Sequence, residues 1–385
     1  MNHIGPKQRR ATRLAFLTAG LAMAAWAPLV PYVKTRLGLE EAELGLLLLC
    51  LGVGSLLAMP LTGVLSARLG CRRVILVAGG LACLLLPCLS LAASPLQLAL
   101  ALFMFGAAIG TLDVAMNIQA VMVEKASGGA LMSGFHGLFS VGGFIGAGGM
   151  ALLLWSGLSP SWASLVAAVI VAAVLAAAGP HLLREPELGE RGALFVLPHG
   201  AVIFIGVLCF IVFLVEGAIL DWSALFLTAT RGLDASQGGL GYAAFAIAMT
   251  SGRLSGDRIV RRFGGKRVLL LGGLCAAGGF FVAVLAPTAG VALLGFVLVG
   301  LGASNIVPIL FTAAGNQAAM PASLAIAAIT TIGYAGILAG PAVIGFVAHA
   351  SSLSVAFAGL GCALLLVAAS ARLGASGKGS GIARR

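Results

Sequence analysis

The chain has 385 residues, of which 60% are hydrophobic and only 9% are charged, and its mean hydropathy is +1.11. A soluble chain of this length would form two or three domains and would carry roughly a quarter charged residues. The composition therefore excludes a soluble globular class and is typical of a bundle of membrane helices. The formal net charge of +11 has three candidate explanations, which are nucleic-acid binding, contact with lipid head groups, and membrane orientation.

Stretches of about 17–25 residues without Lys or Arg predict membrane-spanning helices. Six occur before a polar break that contains three acids and two arginines, and six follow it: Leu14–Val33, Leu44–Leu65, Val74–Ala92, Leu96–Val123, Leu131–Leu154, Trp162–Ala178, Ala201–Leu227, Gly238–Leu254, Val268–Ala286, Gly290–Ala314, Leu324–Ala348 and Leu353–Ala371. The pattern predicts an all-α membrane protein with twelve transmembrane helices in two pseudo-symmetric six-helix bundles. We place the bundles at residues 1–183 and 200–373, a cytoplasmic linker at 184–199, and a flexible Gly/Ser-rich cytoplasmic tail at 374–385.

The distribution of positive charge predicts the orientation of these spans. With both termini in the cytoplasm, 20 Lys and Arg residues fall inside and three, Lys34, Arg36 and Arg231, fall outside. This asymmetry follows the positive-inside rule, so topology accounts for the basic excess and a nucleic-acid partner is excluded. In this assignment Arg253 belongs to the loop after the eighth span, and the spans hold no basic residue. Arg outnumbers Lys, and Ala and Gly are abundant, which suggests a GC-rich bacterial genome and therefore a location in a bacterial inner membrane. We further expect that the direct partners of the protein are the bilayer, protons and a solute, and that it functions as a monomer.

The sequence contains no pattern that predicts an enzyme, a metal site or a cofactor. The seven cysteines form no CxxC pair, and all but Cys71 lie within spans, so they are interpreted as small packing residues. No metal-spaced histidine pair, nucleotide-binding loop or nucleophile motif lies in a span, and the longest segment between spans, residues 179–200, is too short for a domain.

Two basic segments, expected to be loops between spans 2 and 3 and between spans 8 and 9, form an internal repeat at about the same position in each half. The first runs from Gly63 to Arg73 and the second from Gly252 to Arg267. The chain resembles the major facilitator superfamily, because it has six spans, a linker and six further spans, with this segment repeated in each half. The resemblance implies that the segment holds the cytoplasmic helix ends together, with latch residues Arg68, Arg253, Asp257 and Arg258. The first copy has Ala67 where that family has Asp, so the acid of any latch lies in the second half; the alternative is that both segments only set topology.

Several further runs resemble the branch of that superfamily typified by MosC-type membrane proteins, distant relatives of sugar/proton symporters of the fucose-permease type. These runs are Trp26–Val33, Leu112–Asn117, Phe135–Ser140 and Glu216–Trp222. The resemblance implies that spans 1, 4, 7 and 10 line a central cavity. The fourth span has no Arg and the fifth lacks the Gly-Pro motif of many drug antiporters, and both absences disfavour export.

Asp113 and Glu216 are the acids that lie deep inside predicted spans. A charged side chain in mid-span costs about 2.5–3.5 kcal/mol, so such residues are candidates for function. Without a basic span residue to pair with, they require a proton, a metal cation or a cationic substrate. Proton coupling through Asp113 and Glu216 is the most economical interpretation because burial alone can bring a carboxyl group into the titrating range.

Other polar residues are candidates for contact with a solute or for proton relay. Asn117 lies on the same helical face as Asp113, and Asn305 occupies the matching position in the second half. Together with Trp26 and Tyr334 they are the expected solute contacts, while His136 and Asp221 are candidates for a proton relay or gate. Structural hydrogen bonding is the alternative for the asparagines, packing for His136, and a solvated position at the outer interface for Asp221.

The leading hypothesis is a secondary active transporter, which moves a small polar solute of sugar or polyol type by proton-coupled symport and alternating access. The alternative is proton-driven efflux of amphipathic or cationic compounds, in which the same acids would contact a cationic ligand directly.

Overall fold

A computed structural model describes residues 5–184 and 197–371, and the regular structure in these residues is helical. The predicted linker and tail lie largely outside the described residues. The chain divides into two compact units, one reaching to Leu197 and including Ile326–Thr331, and the other comprising Pro198–Ala325 and the residues from Ile332 onward. The bundle boundaries at 1–183 and 200–373 stay a prediction.

The first unit contains seven α-helices. They are α1 (Pro6–Ala25), α2 (Val30–Leu37), α3 (Glu41–Leu69), α4 (Cys71–Leu91), α5 (Pro95–Ser127), α6 (Met132–Trp155) and α7 (Pro160–Ala178). A short 3₁₀ helix, Ala27–Leu29, separates α1 from α2 and contains Pro28, whose missing N–H cannot continue the α-helical hydrogen bonding. The first predicted span is therefore a helix with a break near its C-terminal end.

Serine side chains cap the first turns of two helices in the first unit. The Ser94 hydroxyl accepts a hydrogen bond from the Gln97 amide at the start of α5, and Ser159 accepts one from Trp162 at the start of α7. In each case the next residue is a proline, which suits the first helical position because its missing N–H would have no helical partner there.

Helices α3 and α5 cross at glycines, which allow their backbones to approach closely. A methyl group on Gly106 would clash with the Leu51 carbonyl, and one on Gly110 would lie 2.9 Å from the Ser55 Cα. The Ser55 hydroxyl also donates to the Gly106 carbonyl across the crossing at 2.8 Å. Gly106 and Gly110 thus form the face of α5 that packs closely against α3.

The second unit contains the remaining seven α-helices. They are α8 (Ala201–Arg231), α9 (Leu240–Phe263), α10 (Gly265–Leu285), α11 (Ala289–Ala303), α12 (Ile306–Asn316), α13 (Ala322–Ala350) and α14 (Leu353–Ala369). The tenth predicted span is two helices, because Ser304 and Asn305 interrupt it just before Pro308. By contrast, α13 stays helical through Pro341.

Ten helices in the described part of the chain are long and apolar enough to cross a membrane, counting α1–α2 and α11–α12 as single segments. Helix α14 is apolar but has only 17 residues. Helix α9 has sufficient length but carries five charged side chains in its second half. Each predicted span coincides with one of these segments, while the crossing of all twelve stays a prediction.

The two repeated basic segments were expected to be loops, and this expectation is wrong. Helices α3 and α4 are separated by Gly70 alone, and α9 and α10 by Gly264 alone. The two glycines have almost the same backbone angles, φ 79° and ψ 148° at Gly70 and φ 78° and ψ 148° at Gly264. Only glycine adopts this conformation readily, so one residue suffices to connect two helices and the basic residues lie on helix ends.

Candidate functional site

An ion pair joins the middle of α8 to α9 in the second unit. Glu216 is the central residue of the 31-residue α8, and its Oε1 lies 3.1 Å from Nη2 of Arg253 on α9. The Arg253 side chain is 8% exposed and that of Glu216 is 22% exposed. The pair is therefore largely removed from solvent, with the carboxylate as its more accessible member.

The ion pair corrects the interpretation that the spans hold no basic residue. Arg253 points from the buried face of α9 towards Glu216 and does not lie in a loop. Its position is therefore inconsistent with the loop placement on which the latch assignment rested. The available sequence signal was that Arg253 falls inside the predicted span Gly238–Leu254.

The turn of α9 that carries Arg253 also holds the break between α11 and α12. The Asn305 side-chain amide donates to the Gly252 carbonyl at 3.2 Å and to the Ser304 hydroxyl at 3.0 Å. A methyl group on Gly252 would clash with the Ser304 hydroxyl, so glycine is required for this approach. Asn305 Oδ1 is buried and accepts no hydrogen bond from the described residues. The amide thus fixes the helix break, and its carbonyl oxygen retains acceptor capacity.

Asp113 and Asn117 lie one turn apart on the buried face of α5 in the first unit. They are 8% and 1% exposed. The Asn117 amide nitrogen donates to the Asp113 backbone carbonyl at 2.9 Å and lies 3.4 Å from its Oδ1. The Asn117 side-chain oxygen is buried and accepts no hydrogen bond within the described residues. The prediction that these two residues share one helical face is confirmed, while their roles stay predictions.

The remaining candidates occupy different environments. Trp26 is 5% exposed within an apolar cluster of the first unit, and its indole nitrogen has no hydrogen-bond partner among the described residues. Tyr334 is half-buried, with its ring edge-on to Phe213 at 5.9 Å between centroids. Asp221 is exposed. Trp26 therefore lies in an apolar setting, and Tyr334 contacts Phe213, which lies about one turn before Glu216 on α8.

His136 lies close to the start of α6, and the amides at this start bind a buried acid that was not predicted from the sequence. The imidazole is 8% exposed and its ring centroid is 5.3 Å from that of Phe16. Glu124, near the end of α5, accepts hydrogen bonds from the backbone amides of Leu131 and Met132 at 2.8 and 2.7 Å. Glu124 follows the predicted end of span 4, but α5 continues to Ser127. Its carboxylate satisfies amides at the start of α6, where negative charge is favoured, so its role is structural.

The expected latch residues other than Arg253 lie near the repeated glycine links. Arg68 is in the last turn of α3 and is exposed. Asp257 and Arg258 lie on α9 beyond Arg253, with Asp257 half-buried and Arg258 exposed. These positions on helix ends leave the latch assignment of the three residues a prediction.

Two of the three arginine and lysine residues assigned to the outside make equivalent contacts in the two units. The Arg36 guanidinium donates to the Ser90 and Ala92 carbonyls at the end of α4. That of Arg231 donates to the Ala283 and Val284 carbonyls at the end of α10, at 3.2 and 2.5 Å. Cations are favoured at helix C-termini, where carbonyls lack helical partners. Each unit therefore joins the end of its first segment to the end of its third in the same way.

The long apolar helices are those of a multi-pass integral membrane protein. A buried ion pair lies at the middle of one of them. Residues 14–324 match the Major Facilitator Superfamily. The chain belongs to this superfamily, whose members are transporters rather than enzymes.

Relatives and solved structures agree with this assignment. An MFS-type transporter of Yersinia pestis is 62% identical over 96% of both chains, and the membrane protein MosC of Rhizobium meliloti is 35% identical over 93% of this chain and 86% of its own. The fucose:proton symporter of E. coli superposes with a TM-score of 0.78 at 16% identity, covering 97% of this chain and 99% of that structure. The predicted resemblance to the MosC-type branch is confirmed, and the structural likeness shows the major facilitator fold.

Proposed function

We propose that this transporter is a proton-coupled symporter of a small polar solute of sugar or polyol type, working by alternating access. We further propose that it lies in a bacterial inner membrane, as a monomer, with both termini in the cytoplasm and without a cofactor. The observation that carries the proposal is the Glu216–Arg253 ion pair at the centre of α8.

Glu216 is suited to couple proton binding to a change in structure. As a carboxylate it holds Arg253, and with a bound proton it loses the ionic attraction that maintains this contact. Arg253 lies beside Gly252, whose carbonyl anchors the break between α11 and α12 through Asn305. A proton on Glu216 thus acts on the turn of α9 that fixes a discontinuous helix, a feature that transporters use near their substrate sites.

Asp113 is proposed as the second coupling acid. It lies on the buried face of α5, and Asn117 beside it has acceptor capacity for a hydroxyl group. The proposed solute contacts are Asn117 in the first unit and Asn305 in the second, with Tyr334 near Glu216 as a further candidate. Trp26 is the weakest of the four because its surroundings are apolar.

The proposal agrees with the fold likeness to a fucose:proton symporter. The repeated geometry at Gly70 and Gly264, and the repeated contacts of Arg36 and Arg231, support two halves built on one plan. Such parallel repeats are a common basis of alternating access.

The ion pair disfavours the alternative of cation efflux, because Glu216 already contacts a cation of the protein. The two functions differ in the direction of solute movement relative to the proton gradient. Purified protein in liposomes should accumulate a solute when the outside is acidic. Solute uptake that requires an acidic lumen, so that protons leave as solute enters, would instead establish antiport and refute the proposal.

A further inference from the structure

We infer that the junction of α9 and α10 binds a phospholipid with a negatively charged head group. The binding surface is a group of exposed basic side chains around Gly264, which we call the basic cluster. Its members are Arg258, Arg261, Arg262, Lys266 and Arg267. This role goes beyond the proposed transport function and does not depend on how the solute and the proton are bound.

A single glycine concentrates the positive charges of the basic cluster. Gly264 has φ 78°, so α9 ends at Phe263 and α10 begins at Gly265 without a loop that would spread the charges. Asp257 is the one acidic residue of these two helices. The cluster therefore carries a local surplus of positive charge at the junction of two predicted spans.

Lys266 and Arg267 stand where a helix disfavours cations. They lie in the first turn of α10, at the end of the helix where the backbone dipole is positive, and this turn contains no acidic residue. An anion bound beside the two side chains offsets this repulsion. The phosphate of a lipid head group is such an anion, and it is abundant at the level where a membrane helix begins.

Exposed apolar side chains continue from the basic cluster along the same helix faces. On α10, Leu271 and Leu274 follow Arg267 by four and seven residues, and they are 61% and 46% exposed. On α9, Leu254 precedes Arg258 by four residues and is 51% exposed. A phospholipid has the same division, with a charged head group beside apolar acyl chains. The surface therefore matches both parts of a lipid, whereas a soluble anion would contact only the basic side chains.

Phe263 adds an exposed aromatic ring to the basic cluster. Its side chain is 47% exposed, and the guanidinium carbon of Arg262 lies 5.5 Å from the centroid of its ring. Aromatic residues are enriched at membrane–water interfaces, and a guanidinium over an aromatic face is an attractive arrangement. This contact keeps a cation and an aromatic ring together at the level expected for lipid head groups.

The first copy of the repeat provides a comparison within the same chain. Relative to its glycine link, it has basic residues at three of the five positions of the basic cluster: Arg68, Arg72 and Arg73. Val64 and Ala67 occupy the other two positions, and Leu69 stands in place of the aromatic ring. Arg72 is half-buried, and its backbone amide donates to the Leu183 carbonyl at 2.9 Å. We therefore expect the first copy to bind an anionic lipid more weakly than the basic cluster does.

Lipid binding to the full-length protein in neutral detergent tests this difference. Native mass spectrometry measures the affinities for dioleoyl phosphatidylglycerol and dioleoyl phosphatidylcholine, which differ in head-group charge. Two variants remove three positive charges each at matching positions: Arg262→Gln/Lys266→Gln/Arg267→Gln and Arg68→Gln/Arg72→Gln/Arg73→Gln. Wild-type protein should prefer phosphatidylglycerol by about tenfold or more, since each basic residue near an anionic surface contributes roughly a fivefold factor. The variant of the basic cluster should lose this preference, and the variant of the first copy should keep most of it.

Three results would overturn the inference. Equal losses in the two triple variants would show that positive charge acts without regard to its position. Equal affinities of wild-type protein for the two lipids would show that head-group charge is not recognised. The deacylated head group, glycerophosphoglycerol, should compete poorly because it cannot contact Leu271 and Leu274. Competition as strong as that of the intact lipid would identify a site for a soluble anion instead.

A pair of single variants covers the case in which a triple variant does not fold. Arg267 and Arg73 occupy the same position after their glycine links. Arg267→Gln should weaken the binding of phosphatidylglycerol by roughly fivefold, and Arg73→Gln should change it much less. Equal effects of the two substitutions, or unchanged binding in Arg267→Gln, would contradict the inference.

Discussion

Breaking the ion pair between Glu216 and Arg253 should lower the free energy of unfolding substantially, because both charges are largely buried. At 3.1 Å, and with an effective dielectric constant of about 20, the attraction between the two charges is roughly 5 kcal/mol before the cost of desolvation. Removal of one partner of a fully buried pair costs about 3–5 kcal/mol. Since Glu216 retains 22% exposure, we expect about 2–4 kcal/mol for Glu216→Gln or Arg253→Gln.

A double-mutant cycle isolates the interaction itself. Each single variant removes one member of this ion pair and leaves the charge of the other in place, whereas the double variant leaves two neutral amides that can hydrogen bond. The double variant should therefore be more stable than the sum of the two single effects predicts, by about 2 kcal/mol. The assay is reversible unfolding in mixed micelles, with Asp221→Asn as a control for the loss of an exposed acid on the same helix. Additive single effects, within about 0.5 kcal/mol, would show that the pair contributes nothing.

Three other outcomes follow from the described contacts. Asp113→Asn should retain solute exchange and lose accumulation driven by a pH gradient; uphill uptake with an unchanged pH profile would make Asp113 structural. Gly106→Ala should destabilise the first unit by about 1–3 kcal/mol, because its methyl group meets the α3 backbone, whereas Gly80→Ala, with open space around it, should not. Arg231→Gln should lower the free energy of unfolding by about 1 kcal/mol through loss of its contacts with Ala283 and Val284; an unchanged unfolding curve would refute this.

Much of the fold could be predicted because membrane helices are defined by local composition. Long apolar runs and short polar breaks located the helices, and charge asymmetry predicted their orientation. The connecting elements were harder to predict. A single glycine with positive φ replaces each expected loop, and its effect depends on backbone geometry at Gly70 and Gly264 rather than on hydropathy.

The candidate site was predicted in part for a similar reason. The burial cost identified Asp113 and Glu216 as residues that need a partner, but it did not show which partner each has. Arg253 looked like one member of a basic loop, because five further basic residues follow it before residue 268. Its pairing with Glu216 depends on the rotation of α9, and the break at Asn305 depends on a hydrogen bond to another helix. Neither the rotation of a helix nor a hydrogen bond between two helices can be derived from the periodicity of a single sequence.

The most direct test of the central claim is simultaneous measurement of proton and solute entry into liposomes that contain the purified protein. Solutes that raise its thermal midpoint are selected first and then tested under an inward pH gradient, with Glu216→Gln/Arg253→Gln as the comparison. The account predicts that such a solute enters together with protons through wild-type protein, and that proton entry is lost in the double variant. Solute accumulation without proton entry, or equal proton entry through both proteins, would contradict it.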